Sequence, residues 1–153
     1  MDVPAGDLTL LDDPLAVELL TSRVPARLAY VWFDGTPRVV PIWFHWTGDA
    51  LVMCSPARAP KLKAIQQNPA VSVTIDSNEW PYRVLSVRGD ATVTHGDDVA
   101  PEYAAAAERY LGQAAGQGWV QQIRGMPMGR IVVEPRWVNV LDFEQRLPSA
   151  LSA

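Results

Sequence analysis

Cysteine and histidine are scarce in this sequence, and their scarcity removes most thiol and metal chemistry. Among 153 residues there is one cysteine, Cys54, and there are two histidines, His45 and His95. One cysteine cannot form an internal disulfide, and two histidines so far apart do not have a zinc-binding spacing. We therefore predict no metal site, and we interpret Cys54 as an inert thiol within a buried strand.

Long apolar runs, excess positive charge and familiar catalytic motifs are also missing. No stretch is apolar for long enough to span a bilayer, and a formal net charge of −4 argues against sequence-independent binding of nucleic acid. The sequence contains no P-loop, no G-x-G-x-x-G and no G-x-S-x-G nucleophile motif. The acidic N-terminus lacks the pattern of a signal peptide, so we expect a cytoplasmic protein that binds neither membranes nor nucleic acid.

The residues that are present predict a small mainly β domain. A hydrophobic fraction of 48% and a length of 153 residues suit one domain, residues 1–153, with its core at about 10–143. Short helices are expected after Asp13, after Pro60 and over residues 100–112. Six segments alternate or are rich in β-branched residues, which predicts a six-stranded antiparallel β-barrel with a few short flanking helices. These segments are residues 27–33, 38–46, 50–55, 70–76, 82–95 and 130–143.

Pro41 interrupts the second of these strands, at the place where the strand carries most aromatic surface. A proline in a strand removes one donor from the hydrogen-bond ladder and marks an edge or a bulge. Two interpretations stay open, a bent barrel strand or an edge where a planar ring docks against backbone groups. Trp43 shares the face of Pro41, whereas Trp46 falls on the opposite face and is expected to pack.

Three cations surround the expected start of the helix that follows the third strand. The segment is "SPARAPKLK", residues 55–63, and the cations are Arg58, Lys61 and Lys63. The first turn of a helix has free N–H groups and a partial positive charge, so these side chains could complete a phosphate site. The alternative is a solvated basic turn. Another cation, Arg83, either serves a site or pairs with Glu79 or Asp76.

The order of these segments resembles the pyridoxamine 5′-phosphate oxidase-like split-barrel family, whose members bind flavins or deazaflavins. The resemblance is carried by "PRVVPIWF", by "SPARAPKLKAIQQNPAVSVTID" and by "VRGDATV", and it covers about residues 10–143. It implies a six-stranded split β-barrel that forms a homodimer with two cofactors at the interface. It also implies an oxidoreductase that transfers a hydride to a small unsaturated or cyclic organic substrate.

The resemblance further implies which residues contact the cofactor, while it assigns no catalytic residue. The ring would lie along the second strand, and the phosphate would bind where the third strand leads into the short helix. The partner subunit would contribute from the long strand, and the last strand would add an aromatic residue. The implied residues are Val39, Val40, Pro41, Ile42 and Trp43 for the ring, Cys54, Ser55, Arg58, Lys61 and Lys63 for the phosphate, Trp80, Arg83 and Leu85 from the partner, and Trp137 in the last strand.

Two departures from the family pattern bear on the cofactor. Ala59-Pro60-Lys61 stands where flavin oxidases of the family have a Ser-Arg-Lys triplet, and Trp43 stands where a lysine is expected. These departures argue against vitamin B6 phosphate chemistry. The short single domain, the proline in strand two and the Ala-rich helix resemble the branch of the family that uses the deazaflavin coenzyme F420, which is slightly favoured over FMN. The alternatives are a protein that binds or carries a flavin, a deazaflavin or haem without catalysis, and a structural or regulatory dimer with an empty cleft.

Overall fold

Residues 3–151, which the computed structural model describes, form one antiparallel sheet of seven strands with four α-helices around it. The strands are β1 (Ala26–Val31), β2 (Pro37–Ile42), β3 (Phe44–Trp46), β4 (Leu51–Pro56), β5 (Ala70–Asp76), β6 (Val84–Gly96) and β7 (Met128–Leu141). The helices are α1 (Pro14–Leu20), α2 (Pro60–Gln67), α3 (Pro101–Leu111) and α4 (Gln113–Gln122). Short 3₁₀ turns lie at Leu8–Asp12 and Ser149–Leu151.

The two edge strands of the sheet, β2 and β3, are consecutive pieces of one chain segment. The strand order is β2-β1-β5-β6-β7-β4-β3, and only Trp43 separates the last residue of β2 from the first of β3. Because one residue joins the two ends of the sheet, the sheet closes into a barrel that is split between β2 and β4. The mainly β antiparallel split barrel is confirmed. It has seven strands rather than six because the predicted strand 38–46 is divided at Trp43.

The barrel interior is filled by the inward side chains of every strand. Val71, Val73 and Ile75 of β5 alternate with half-exposed polar residues, as their spacing predicts. Helix α2 closes one end of the barrel, since Leu62 and Ile65 enter the same core. A side chain at position 129 would force Leu62 to shift, because a Cβ there would lie 2.4 Å from Cδ1 of Leu62. The position of α2 on the barrel is therefore fixed by close packing.

The long hairpin of β6 and β7 bends at Gly89, where the sequence predicts a bend. A register shift lies between Arg88 and Gly89, and Gly89 faces Pro135 of β7. A β-bulge absorbs the extra residue of β7, and it also accounts for a proline inside a strand of fourteen residues. The two backbones approach so closely that a Cβ on Gly89 would lie 2.0 Å from the carbonyl oxygen of Glu134.

Helices α3 and α4 cover the outer face of β3 and β4 and enclose a second core. This core contains Val52 and Cys54 of β4 together with Ala107 and Val120 of the two helices. The sequence pattern predicts no helix after residue 112, whereas residues 113–122 form helix α4. Two glycines lower the helix propensity of this segment, and packing against α3 overrides that preference.

The bulge yields a stability prediction. Replacing Gly89 by Ala should lower the free energy of unfolding by about 3 kcal/mol, since a methyl group cannot fit against a backbone carbonyl. Gly96→Ala is the matched control, because it lies in the same strand and its Cβ would meet nothing closer than 4.0 Å. Urea unfolding of both variants measures the difference. Equal stabilities would show that the bulge does not require glycine.

Candidate functional site

The split between β2 and β4 is the opening in the barrel wall from which the site is built. Phe44 of β3 pairs with Met53 of β4, and this register, if continued, would place Trp43 opposite Cys54 and Ile42 opposite Ser55. The strands separate instead, because β2 pairs with β1 from Ile42 onward. The end of β4 is thus left unpaired on the side of β2. Helix α2 begins four residues after β4 ends, so its first turn lies beside this opening.

Lys61 is the half-buried cation at the start of α2. Its ammonium group makes no hydrogen bond or ion pair with any residue from 3 to 151, and burial lowers its pKa. Arg58, exposed just before the helix, likewise has no acidic partner in that range. The sequence contains no Asp or Glu between Asp49 and Asp76. The first turn of α2 therefore carries uncompensated positive charge within a protein whose net charge is negative.

The first turn of α2 also lacks a side-chain cap. Its N-cap residue is Ala59, which offers no acceptor, whereas the carboxylate of Asp13 caps α1 through the N–H of Leu15 at 2.9 Å. Pro60 has no N–H, and the N–H of Leu62 donates to the carbonyl of Ala59 at 3.1 Å. The N–H of Lys61 is therefore the first-turn donor left to face an anion, and the side chains of Lys61 and Arg58 add positive charge beside it.

Lys63 lies on a different side of α2 from Lys61. Leu62 between them points into the core, and successive helix residues are about 100° apart, so the two lysines flank Leu62 on opposite sides. Lys63 is exposed. The geometry does not bring Lys63 together with Lys61, and we leave Lys63 out of the proposed site.

The four residues of β2 implied by the resemblance divide between its two faces. Val39 and Pro41 lie on the outer face of the barrel, where Val39 is 64% exposed. Val40 and Ile42 point inward and pack against the main core. Only the outer pair offers side chains to a ligand, while the inner pair offers backbone groups.

Trp43 is held under helix α3. Its ring stacks on that of Tyr110, with centroids 5.1 Å apart and an angle of 11° between the planes, and it also contacts Tyr103. Arg109 donates from Nε to the carbonyl of Ser22 at 2.9 Å and also donates to the carbonyl of Phe44. Helix α3 thereby fixes the chain at the point where β2 ends. As predicted, Trp46 packs against the main core.

Cys54 and Ser55, at the end of β4, are both buried. Burial raises the pKa of the Cys54 thiol to about 12, and the thiol lies beside the ion pair of Arg130 and Glu102. Arg130 also donates to Thr94 at 3.1 Å. A thiol that stays protonated at neutral pH is a poor nucleophile, so the structure supports an inert role for Cys54. Neither side chain projects freely into the split.

The residues implied for the partner subunit have different environments. Leu85 is fully buried in the barrel core, so its side chain cannot reach a ligand outside and we withdraw it from the site. Arg83 pairs with Glu18 of α1, not with Glu79 or Asp76. Trp80 is 68% exposed in the loop between β5 and β6.

Trp137 lies on the outer face of β7 and is partly covered. The guanidinium of Arg88 lies 3.9 Å from the centroid of its ring, and the backbone of Gly6 covers the indole from the other direction. Arg88 has no acidic partner among residues 3–151. The sequence analysis did not single out Arg88. The alternation of β6 could have indicated it, because Arg88 falls on the same outward face as Ser86.

The two histidines do not form a site with each other. His95 is exposed near the end of β6. His45 faces α3, where burial and the charge of Arg109 lower its pKa. Within residues 3–151 no group of three His, Cys, Asp or Glu side chains is placed to hold a metal ion. No helix in the same range is long and apolar enough to cross a bilayer.

The fold is an antiparallel split barrel with a cationic helix start beside the split, and comparison with known families identifies the family. The family model of pyridoxamine 5′-phosphate oxidase matches residues 13–142. The chain therefore belongs to this family, as the sequence resemblance indicates. None of the curated proteins matches the chain.

Solved structures with the same fold belong to proteins with several different functions. An F420 reductase is 27% identical, with a TM-score of 0.59 over 79% of this chain and 93% of that one. An FMN-binding protein related to pyridoxamine 5′-phosphate oxidase, from Nostoc punctiforme, is 19% identical, with a TM-score of 0.56 over 79% and 75%. The haem storage protein HutZ from Vibrio cholerae is 18% identical, with a TM-score of 0.61 over 84% and 93%.

The buried thiol gives a prediction for this site. Because the pKa of Cys54 is raised to about 12, iodoacetamide at mildly alkaline pH should leave the native protein unmodified over hours. The same protein in urea should react completely, since an exposed thiol has a pKa of about 8.5. Mass spectrometry measures the extent of alkylation. Rapid modification of the folded protein would show that Cys54 is accessible and activated.

Proposed function

We propose that this protein binds a phosphate-bearing flavin or deazaflavin at the split between β2 and β4 and acts as an oxidoreductase with it. The observation that carries the proposal is Lys61, a half-buried ammonium group without a partner among the described residues. Burying an unpaired charge opposes folding, so such a group is expected where a ligand supplies the opposite charge. Membership of a family with flavin-binding members supports the same reading.

The residues present fit the phosphate end of such a cofactor. Lys61 and Arg58 supply charge, and the uncapped first turn of α2 supplies the backbone N–H of Lys61. Packing of Leu62 against Gly129 holds that turn in place. The donors are therefore positioned before the ligand arrives, which reduces the ordering that binding requires.

The ring would lie against the outer face of β2, beside Val39 and Pro41. Pro41 has no N–H, so the ladder is locally incomplete there, and a planar heterocycle can hydrogen bond to neighbouring backbone groups. Trp43 does not contact the ring in this arrangement, because its stacking on Tyr110 fixes the end of β2 and holds its half-buried indole against α3. Its role is to position the strand.

Coenzyme F420 is the cofactor that we favour over FMN. The structural neighbour with the highest identity among those described above is an F420 reductase. Ala59 and Pro60 also replace two polar residues of the family's flavin phosphate triplet. This loss of donors suits a phosphodiester, which carries less charge than the phosphate monoester of FMN.

A bound flavin or deazaflavin supplies a hydride for the reduction of a small unsaturated or cyclic substrate. The chain itself binds and orients this group and excludes water from one side of the ring. Three side chains could donate a proton to the substrate, namely His45, Tyr82 and Tyr110, and they differ in how far their environment restrains them. The hydroxyl of Tyr110 donates to the carbonyl of Val24 at 3.1 Å, and His45 faces α3. Tyr82 is exposed, so we propose that solvent supplies the proton.

The proposal includes a homodimer that binds its small substrate beside the cofactor, in the cytoplasm. The unpaired outer edge of β2 and the exposed Val39 support a second copy at this face. The single buried thiol is consistent with a reducing compartment.

The test of the site is the pair of variants Lys61→Met and Lys63→Met. Loss of a charged contact to phosphate should weaken binding of FMN and of F420 by about 10–100-fold in Lys61→Met. Lys63→Met should bind as the wild type does. Lys61→Met should also melt at the same or a higher temperature without cofactor, because burial no longer opposes a charge at this position. Titration by tryptophan fluorescence and thermal melts give both quantities.

Four outcomes of this test, of a haem titration and of a turnover assay would contradict the proposal. Unchanged affinity for FMN and F420 in Lys61→Met would contradict the assignment of the phosphate site. If the wild type bound neither FMN nor F420, the assignment of the cofactor would be wrong. A Soret band on titration with haem, with no affinity for either flavin, would indicate a haem-binding protein instead. Binding without turnover of any electron acceptor would indicate a carrier.

The lowered pKa of Lys61 predicts how binding depends on pH. Burial lowers this pKa in the free protein, whereas a bound phosphate favours the ammonium form and raises it. Binding at alkaline pH therefore takes up a proton, and the affinity for FMN should fall as the pH rises through the lowered pKa that Lys61 has in the free protein. Lys61→Met should lack this component of the fall. Identical pH profiles for the two proteins would contradict the assignment of the proton to Lys61.

A further inference from the structure

Three oxidisable aromatic side chains form a line from the end of β2 to the surface of α4. They are Trp43, Tyr103 of α3 and Trp119 of α4. The ring centroids of Trp43 and Tyr103 are 5.8 Å apart, and the indole N–H of Trp119 donates to the phenolic oxygen of Tyr103 at 2.9 Å. Indole and phenol are, after the sulfur-containing groups, the side chains that lose one electron most readily. We call these three residues the aromatic line.

The two ends of the aromatic line lie in different surroundings. Trp43 is the single residue between β2 and β3, next to the split, and it is half-buried against α3. Trp119 is 39% exposed. Because electron tunnelling becomes exponentially slower with distance, two short steps through Tyr103 are faster than one long step. The aromatic line therefore connects the split with the solvent.

Tyr110 also stacks on Trp43, but its surroundings oppose oxidation. The guanidinium of Arg109 lies 4.7 Å from the centroid of its ring, and a nearby positive charge disfavours removal of an electron. Its hydroxyl donates to the carbonyl of Val24 at 3.1 Å, and a backbone carbonyl is too weak a base to take the proton of an oxidised phenol. The ring beyond it is that of Phe44, which is not readily oxidised. The branch through Tyr110 therefore ends inside the protein.

Tyr103 has neither obstacle. No Lys or Arg side chain lies over its ring among residues 3–151. Its own hydroxyl donates to no described residue, and the bond from Trp119 is exposed, so water can accept the phenolic proton. The indole hydrogen of Trp119 already points at the phenolic oxygen, which gives a proton a route along the same bond. The contacts thus favour the branch that reaches the surface.

We propose that the aromatic line carries single electrons from the surface of α4 to the split. Trp43 gives one electron to a light-excited flavin bound there. Tyr103 replaces that electron and releases its phenolic proton to water. Trp119 then gives one electron to Tyr103, and its indole proton moves along the hydrogen bond in the same step. A soluble thiol or ascorbate returns one hydrogen atom to Trp119, which completes the balance.

The identity of the oxidant rests on the proposed function, whereas the path itself rests on contacts within this chain. In net terms, one electron passes from a reductant in solution to the split, and one proton passes to water. Helices α3 and α4 thereby have a role beyond covering β3 and β4.

The experiment attaches its own oxidant to the protein, so that it requires no cofactor. Pro41→Cys supplies a reactive thiol on the exposed side of β2, two residues from Trp43. Cys54 stays unlabelled, because burial raises its pKa to about 12. A ruthenium polypyridyl label on the new thiol becomes a one-electron oxidant after a laser flash with a soluble electron acceptor. Transient absorption then follows the tryptophan and tyrosine radicals.

Tyr103→Phe and Tyr110→Phe form the matched pair of variants. Each removes only a hydroxyl from a ring of α3 that contacts Trp43. Tyr103→Phe should lower the yield of tyrosine radical in the labelled protein by at least about 10-fold, because phenylalanine raises the barrier for the transfer. Tyr110→Phe should leave the yield unchanged. Thermal melts verify that both variants fold, and Trp119→Phe carries the test if Tyr103→Phe does not.

Trp119→Phe tests the surface end of the aromatic line. It should keep the tyrosine radical and abolish the long-lived absorption of the tryptophan radical. Trp80→Phe is the control, because Trp80 is 68% exposed in the loop between β5 and β6 and has no contact with the line. It should leave both signals unchanged.

Several results would overturn the inference. These are an absence of radicals in the labelled protein, equal radical yields in Tyr103→Phe and Tyr110→Phe, and a loss in Tyr110→Phe alone. A long-lived tryptophan radical in Trp119→Phe would overturn the surface end. If the labelled protein behaves as expected but the wild type binds neither FMN nor F420, the proposed function alone is contradicted.

Discussion

The change of pairing partner within residues 37–46 is the constraint on which the rest of the structure depends. The first part of this segment pairs with β1 and the last part with β4. Two strands that are not hydrogen bonded to each other are thereby tied to one chain, which closes the barrel and leaves it split. Trp43 marks the change, and its stacking on Tyr110 of α3 holds it there. The opening in the barrel is thus a direct result of how residues 37–46 pair with β1 and β4.

The candidate site follows from this split because it exposes the end of β4 and the start of α2 together. The packing that closes the barrel, through Leu62 and Ile65, also fixes the first turn of α2. Lys61 is consequently held half-buried by a helix that cannot move away. The same contacts that stabilise the barrel therefore maintain an unpaired charge, which opposes folding unless an anion binds. The charge of Lys61 therefore lowers the free energy of unfolding of the ligand-free protein, while the same charge favours the binding of an anion.

Local sequence patterns predicted most helices and strands, whereas they could not predict contacts between residues far apart in the chain. The Asp13 cap, the helix at Pro60 and the alternation over residues 70–76 are encoded in neighbouring residues, and the structure confirms them. Helix α4 was missed because packing against α3 stabilises a segment of weak helix propensity. The pairing of Arg83 with Glu18 joins residues sixty-five positions apart, and no spacing rule reveals such a contact. The burial of Leu85 likewise depends on which strand face turns inward.

The central claim is that a phosphate-bearing cofactor binds at the split, and amide chemical shifts test it most directly. Titrating isotope-labelled protein with F420, and separately with FMN, should perturb two groups of amides first and most strongly. These are the amides of Val39, Val40 and Ile42 in β2 with that of Trp43, and those of Arg58, Ala59, Lys61 and Leu62 at the start of α2. Amides in α4, on the far side of the second core, should change little. Perturbations concentrated in α3 and α4, with β2 and the start of α2 unaffected, would contradict the account.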